Sequence, residues 1–327
     1  MSAAQSPASS NAPLEDNLAS LSLHESGPTP TPASSDAPLE DNLASLSLHE
    51  SGPTPIPFAT HRDDSSRSLL SVLAGAHSVG AGIFGFLDQR HACALRLVCV
   101  EMRDAVAAAP WMATSRIYSS VRRWRRCFPL ARAADVAWRI KSPLYNADFK
   151  YLRNLRWLNL TCSDGTYVFD SAFAHLEGLE TLFISAFDAR ITDRAFFHLR
   201  GIKRLYMSGL KQLEITNLAF SYLAGVEVLY MVQCDQPTIS DDAFAHLRGV
   251  QELWIDKCTQ EAITDRAFTY LSGIRILHMD NCTQAGITAA AFDCLEGVQE
   301  VSTEGCREEV QRAASRAVML SRKKSTE

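Results

Sequence analysis

The sequence predicts an α/β solenoid, because three signals return together along its second half. Phenylalanine recurs at spacings of 24, 23, 24, 24, 24 and 24 residues, at Phe149, Phe173, Phe196, Phe220, Phe244, Phe268 and Phe292. A helix-start signal precedes most of these residues, and a short strand pattern follows them. A fixed period of roughly 20–50 residues is typical of stacked supersecondary units, so we expect about seven 24-residue repeats across 146–306.

The helical part of each repeat is marked at both ends. In 264–271, Thr264 is a helix N-cap residue, and Asp265 places an acid in the first turn. The same N-cap position holds Thr192, Thr216, Ser240 and Thr288. Glycine follows where a helix needs a left-handed C′ residue, at Gly178, Gly201, Gly225, Gly249, Gly273 and Gly297.

The strand part of each repeat alternates apolar and polar residues, as in 250–255. With its apolar spacing L-x-x-[VIL]-x-x-L-x-[MIL], the unit resembles the leucine-rich repeat, which implies a parallel sheet on the concave side and helices on the convex side. The family places Asn or Cys just past the strand, and here that place holds Cys234, Cys258, Cys282 and Cys306. Leu210 and Phe187 stand there in two earlier repeats, and Cys162 is one residue out of register. The cysteine form resembles the subclass that commonly follows F-box domains.

The segment 82–111 resembles an F-box, which implies a small helical domain across 67–115. The pattern I-F-x-x-L-D, then L-R-x-V-C, then P-x-W runs through Ile83, Phe84, Leu87, Asp88, Leu95, Arg96, Val98, Cys99 and Trp111. In that family such residues dock the adaptor subunit of a cullin–RING ubiquitin ligase. The resemblance therefore implies adaptor contacts at Ile83, Phe84, Leu87, Leu95, Val98 and Trp111.

Two other interpretations of this region stay open. The stretch 80–85 satisfies the dinucleotide-binding pattern G-x-G-x-x-G, but about 45 residues before the repeats are too few to complete a doubly wound sheet. The region would otherwise be a plain helical cap for the first repeat, since a repeat array needs its end faces covered. The basic segment 116–145 is expected to be a linker or N-terminal cap, with a solvated helix face favoured over nucleic-acid binding, and 307–327 a C-terminal capping helix and tail.

Residues 1–66 are predicted to be a disordered acidic tail, because they are rich in Ser, Pro, Ala and Thr. A 19-residue segment occurs twice without change, at 12–30 and 37–55. Its leucines resemble a nuclear export signal, which implies an export receptor as a partner, through Leu14, Leu18, Leu21, Leu23, Leu39, Leu43, Leu46 and Leu48. The alternative is a tandem duplication in a segment that tolerates it.

One column of the predicted sheet is aromatic. The residue after the central leucine of each strand reads Asn159, Phe183, Tyr206, Tyr230, Trp254, His278 and Ser302. Period two sends these side chains to the open concave face, where large apolar patches usually mark partner sites. Asp256 and Asp280 stand beside the column, so the groove should favour a basic partner segment. The predicted partner-binding residues are Phe183, Tyr206, Tyr230, Trp254, Asp256, His278 and Asp280, unless the rings stack only to stabilise the sheet.

Composition narrows the function classes. The net charge is −5 and 46% of residues are hydrophobic, while no nucleophile–base pair, metal-ligand cluster or phosphate-cradling loop appears in the predicted groove. Nine cysteines without a C-x-x-C pair indicate reduced thiols. The sequence contains no run of 18 apolar residues, which is the pattern that would predict a membrane span. We expect a cytoplasmic protein without cofactor, metal, nucleic-acid or membrane partner. The export-like leucines add the alternative that the protein shuttles between the cytoplasm and the nucleus.

Taken together, the sequence predicts a non-enzymatic substrate-recognition subunit of a cullin–RING (SCF-type) ubiquitin ligase. The F-box-like helices would hold the adaptor, and the concave repeat face would hold the target protein. The alternative is a ligase-independent repeat scaffold or signalling protein that binds its partner through the same face.

Overall fold

A computed structural model describes residues 89–109, 111, 114–118, 120–136 and 143–324, with Glu101 and Lys324 described by their backbones alone. The predicted tail 1–66, its export-like leucines, the glycine-rich stretch 80–85 and the residues Ile83, Phe84 and Leu87 lie outside the described residues. No helix in the described part is long and apolar enough to cross a membrane.

In the described part of the chain, nine strands form one parallel sheet in chain order. They are β1 Ser115–Arg116, β2 Ala133–Asp135, β3 Trp157–Asn159, β4 Thr181–Phe183, β5 Arg204–Tyr206, β6 Val228–Tyr230, β7 Glu252–Trp254, β8 Ile276–His278 and β9 Glu300–Ser302. Each strand pairs in register with the next, so equivalent residues of successive repeats are neighbours.

Short helices alternate with the strands of this sheet. They are α1 Gln89–Leu95, α2 Val100–Ala108, α3 Val121–Cys127, α4 Asn146–Phe149, α5 Asp170–Phe173, α6 Asp193–Phe197, α7 Asn217–Ser221, α8 Asp241–Phe244, α9 Asp265–Phe268 and α10 Glu308–Lys324. Two 3₁₀ turns, Ala174–Leu176 and Ala289–Phe292, complete the helical side. This alternation confirms the predicted α/β leucine-rich-repeat solenoid.

The repeating apolar residues form one core between the sheet and the helices. The central leucines of strands β3 to β8 are fully buried, at Leu158, Leu182, Leu205, Leu229, Leu253 and Leu277. The seven periodic phenylalanines are also buried, with exposed fractions of 0–5%. Thr192, Thr216, Ser240, Thr264 and Thr288 cap their helices as predicted, each accepting a backbone N–H through its side chain. Gly249, at φ +88°, takes the left-handed conformation that ends its helix.

The cysteine position is a buried turn in every repeat that carries it. Cys234, Cys258, Cys282 and Cys306 are free and buried, and each thiol donates to a backbone carbonyl of the preceding repeat at 3.0–3.3 Å. Cys162 is instead exposed in a left-handed turn residue, at φ +54°. The next residue, Ser163, takes the buried position and its hydroxyl donates to the carbonyl of Val136.

The sheet extends two strands further toward the N-terminus than the seven strands aligned in the sequence. β1 and β2 fall within the segment 115–135, where Ala134 replaces the central leucine and no periodic phenylalanine is present. Trp111, Trp124 and Phe128 fill the core behind them, and the indole Nε1 of Trp124 donates to the Ser115 hydroxyl at 2.9 Å. At the other end, α10 buries Val310, Ala314 and Ala317 against the last repeat.

Candidate binding groove on the concave face

The aromatic column forms a continuous stack along the sheet. Ring centroids lie 4.0 Å apart for Phe183 and Tyr206, 4.6 Å for Tyr206 and Tyr230, and 4.7 Å for Tyr230 and Trp254. Trp254 and the His278 ring lie 3.6 Å apart and 3° from parallel. The spacing follows from the in-register strands, which are about 4.8 Å apart. We call this set of five rings the aromatic stripe.

The stripe lies on the face opposite the core. All five rings are half-buried, whereas the leucine that precedes each ring in the chain is fully buried. Trp157 extends the stripe at its N-terminal end, with its ring centroid 5.3 Å from that of Phe183. The sequence alignment missed Trp157 because it occupies the residue before the central leucine, although period two puts that residue on the same face.

Burial within the stripe shapes the ionisation of its tyrosines. It raises the pKa of Tyr206, with a smaller contribution from Glu252. It also raises the pKa of Tyr230, helped by the neighbouring Tyr206 and Glu252. Both hydroxyls therefore stay protonated at neutral pH and can donate hydrogen bonds to a partner's carbonyl groups.

An acidic flank accompanies the C-terminal half of the stripe. The Asp280 backbone N–H donates to Asp256 Oδ1 at 2.7 Å, and the Glu304 backbone N–H donates to Asp280 Oδ1 at 2.7 Å. His278 Nε2 lies 3.1 Å from a carboxylate oxygen of Glu300. Burial raises the pKa of the Asp256 carboxyl, with Asp280 adding to the effect and the N–H bond opposing it.

Three of these side chains come within reach of one point. Ligand-type atoms of Asp256, His278 and Asp280 lie within 4.8 Å of one another, a grouping that the chain spacing alone did not predict. One oxygen of each carboxylate already accepts a hydrogen bond from the next repeat, and the imidazole faces Glu300. The geometry is therefore explained by inter-repeat hydrogen bonding, and the trio contributes negative charge to the groove.

The predicted adaptor residues that the structure describes are divided between core and surface. Leu95 packs partly buried against the core, and Trp111 is 3% exposed with its ring centroid 5.3 Å from that of Phe128. Val98 is 62% exposed. Sequence reasoning missed its exposed neighbours Leu97 and Val100, because the motif assigns them no fixed residue type. The adaptor role of Leu95, Val98 and Trp111 stays a prediction.

Comparisons with known proteins add a fold likeness. No protein-family model matches the sequence, and no curated protein matches it. Among solved structures, the chain resembles TLR13 in its complex with ssRNA13, at 17% identity and a TM-score of 0.48, over 62% of this chain and 30% of that one. It also resembles yeast Rad7 in its complex with Elc1, at 16% identity and a TM-score of 0.46, over 77% and 72% of the two chains. Human 5T4 is similar at 16% identity and a TM-score of 0.43, over 54% and 71%.

Proposed function

We propose that this protein is the substrate-recognition subunit of a cullin–RING (SCF-type) ubiquitin ligase and that its aromatic stripe binds the target. The observation that carries the binding role is the row of five stacked, half-exposed rings on the open face of the sheet. Such a protein performs no chemistry of its own and acts by bringing its target close to the ligase.

The composition of the stripe supports protein binding. Tyrosine and tryptophan are enriched among the residues that dominate interface energies, since they bury large area with few rotatable bonds. The rings are already held in place by one another, so little side-chain entropy is lost on binding. The acidic flank adds long-range attraction for lysine or arginine. An extended basic segment, with its cations over the ring faces, would use both properties.

The adaptor end of the proposal rests on the F-box resemblance of 82–111 and on one surface observation. Leu97, Val98 and Val100 are 88%, 62% and 56% exposed, and they lie together at the junction of α1 and α2. Three aliphatic side chains in contact with water favour docking of an apolar partner surface. The alternative is a ligase-independent scaffold. It needs only the aromatic stripe as a binding surface and requires no adaptor contact by 82–111.

The experiment is affinity capture of the tagged full chain from cells, followed by mass spectrometry. The proposal predicts recovery of the ligase adaptor and cullin, and their loss from Leu97→Asp with Val98→Asp. Leu213→Asp is the matched control, because Leu213 is 64% exposed on a repeat far along the chain from the F-box-like region. Recovery of other partners with no adaptor or cullin would support the scaffold instead.

A second pair of variants in the same capture separates the groove from the adaptor end. Trp254→Ala with Tyr230→Ala should remove target proteins and leave the adaptor. Phe197→Ala is the control, since Phe197 is 42% exposed on the helical side. A target that survives the double substitution would contradict the role of the stripe.

The proposed location is the cytoplasm, with shuttling through the nucleus and export from it through the tail leucines. Inhibition of the export receptor should then move the protein into the nucleus. An unchanged distribution would remove that part of the proposal.

A further inference from the structure

A cavity of about 590 Å³ opens between the segment that carries α1 and α2 and the helix α3, and all of its lining residues precede β2 in the chain. Its wall is basic: five of its lining residues are Arg96, Arg103, Arg122, Arg123 and Arg126. Ser120 and Cys127 complete the lining. The volume lies within the range of about 300–1,000 Å³ that is typical of small-molecule sites.

Helix α3 supplies three of these arginines because its other face is committed to the core. Val121 and Trp124 are buried. Arg125 turns inward as well, and its guanidinium donates to the carbonyls of Tyr151 and Arg153 at 2.6 and 2.8 Å. Burial, with a contribution from Arg132, lowers the pKa of Arg125 to about 10. Arg125 is thus a structural residue.

Arg122, Arg123 and Arg126 remain on the outer face of α3, three and four residues apart, so their side chains share one side of the helix. Within the described part of the chain, none of these three side chains has a hydrogen bond or an ion pair. They lie beside one another with no carboxylate partner among the side chains that the structure describes.

The two remaining arginines come from the preceding helices. Arg96 follows α1, and its guanidinium donates to the carbonyl of Cys127 at 2.8 Å, which ties this wall of the cavity to the end of α3. Arg103 lies on α2 and pairs with the exposed Asp104 at 3.0 Å. Residues 89–136 contain nine arginines and three acids, so the local excess of positive charge is large.

We infer that this cavity binds a compact anion that carries at least two adjacent phosphate groups. Guanidinium groups match phosphoryl oxygens in pairs of parallel hydrogen bonds, and they remain charged at any pH of the cell. Arg103 already pairs with Asp104, and the other four make no ion pair within the described residues, so more than one phosphate is needed to neutralise them. A concave pocket favours a compact ligand over a long strand, which would track a groove. The inference is independent of the ligase proposal and of the aromatic stripe.

The test is isothermal titration of the full chain with inorganic tripolyphosphate at constant ionic strength, with sulfate and monophosphate as comparison anions. We expect tripolyphosphate to bind at one site per chain, at least tenfold more tightly than either single anion. It should also raise the melting temperature, because a ligand that binds only the folded state stabilises it.

Two double variants locate the site. Arg122→Gln with Arg126→Gln should weaken tripolyphosphate binding at least tenfold, while far-ultraviolet circular dichroism stays unchanged. Arg190→Gln with Arg194→Gln removes the same charge from the exposed side of the repeats and should leave the affinity within twofold. Equal loss in both pairs, or no measurable binding, would overturn the site.

A single-stranded oligonucleotide separates the remaining possibility. We predict that, compared at equal total phosphate concentration, a 20-nucleotide strand displaces bound tripolyphosphate no more effectively than further tripolyphosphate would. If the strand binds more tightly than tripolyphosphate, with affinity that rises with its length, the arginines form a nucleic-acid surface and the inference is wrong.

Discussion

At the residue scale, Asp256 is held in the groove by the backbone of the next repeat, and burial raises the pKa of its carboxyl. An acid whose folded pKa lies above its unfolded value contributes stability that is complete below the unfolded pKa and is lost as pH rises through the folded pKa. At neutral pH the ionised Asp256 therefore opposes folding slightly. Its charge is available to attract a cationic partner.

Asp256→Asn should separate these two effects. The amide oxygen can still accept the Asp280 N–H, and the desolvated charge is gone. We expect the melting temperature at pH 7.5 to rise by about 1–2 °C, and the difference from wild type to vanish near pH 4, close to the unfolded pKa of about 3.9. Binding of the target should weaken in the same variant. A lower melting temperature at pH 7.5 would contradict the assignment.

The cysteines give a second residue-scale prediction. Burial raises the pKa of Cys234 and Cys282 to about 12, and it raises the pKa of Cys258 and Cys306 as well. These four thiols should resist iodoacetamide at pH 8 until the protein unfolds, because the thiolate is the reactive form. The exposed Cys162 and Cys294 should react first. Peptide mass mapping of a time course measures the order, and early labelling of Cys258 would contradict the buried ladder.

At the element scale, neighbouring helices are joined by a repeated carboxylate bridge. The Thr264 backbone N–H and hydroxyl donate to the two oxygens of Asp241, each at 2.7 Å. Equivalent bonds join the pairs Asp170–Thr192, Asp193–Thr216 and Asp265–Thr288. Each bridge joins the first turn of one helix to the next repeat, so these hydrogen bonds hold the helical side of the solenoid in the same register as the sheet.

Asp241→Ala should lower the free energy of unfolding by ~1–3 kcal/mol, since two donors of Thr264 lose their partner. Asp242→Ala is a matched control one residue away. Asp242 is exposed and pairs with the exposed Arg266 at 3.1 Å, so its removal should change stability by less than ~1 kcal/mol. Denaturant titrations measure both, and equal effects would show that the bridge contributes nothing beyond surface charge.

The bridge also shows what could be predicted from the sequence. Thr264 was expected to cap its helix and Asp265 to interact with the helix dipole, and the residue types follow from local rules. The pairing of Asp241 with Thr264 does not follow from local rules, because it joins one repeat to the next. Periodic Gln236, Gln260 and Gln284 carried the same kind of signal, and their side chains donate to carbonyls of the preceding repeat. The 24-residue period identifies residues that are equivalent in successive repeats, but the structure is needed to show which of them bond to each other between repeats.

The first two strands escaped prediction for a different reason. The segment 115–135 has the small Ala134 in place of the central leucine and lacks the periodic phenylalanine, so it does not match the repeat pattern. Pairing with β3 makes the strand, which is a tertiary effect. Period two predicted the face on which all five rings of the aromatic stripe lie, and only its extension by Trp157 was missed. The exposed apolar surface at Leu97 was not predicted, since exposure depends on how α1 and α2 pack.

At the scale of the whole repeat array, the charge is divided along the chain. Arginines collect around α2 and α3, whereas carboxylates collect beside β7, β8 and β9. The two ends of the array therefore suit different ligands. The two proposals therefore concern different residues: an anion beside α2 and α3, and a basic target segment on the concave face.

Site-specific photocrosslinking tests the central claim most directly. A benzophenone amino acid is placed at Tyr230, on the aromatic stripe, or at Phe197, on the helical side, in the full chain expressed with its cellular partners. We predict covalent capture of the target from position 230 and none from position 197. Capture from position 197 alone, or equally from both positions, would contradict the assignment of the concave face as the binding surface.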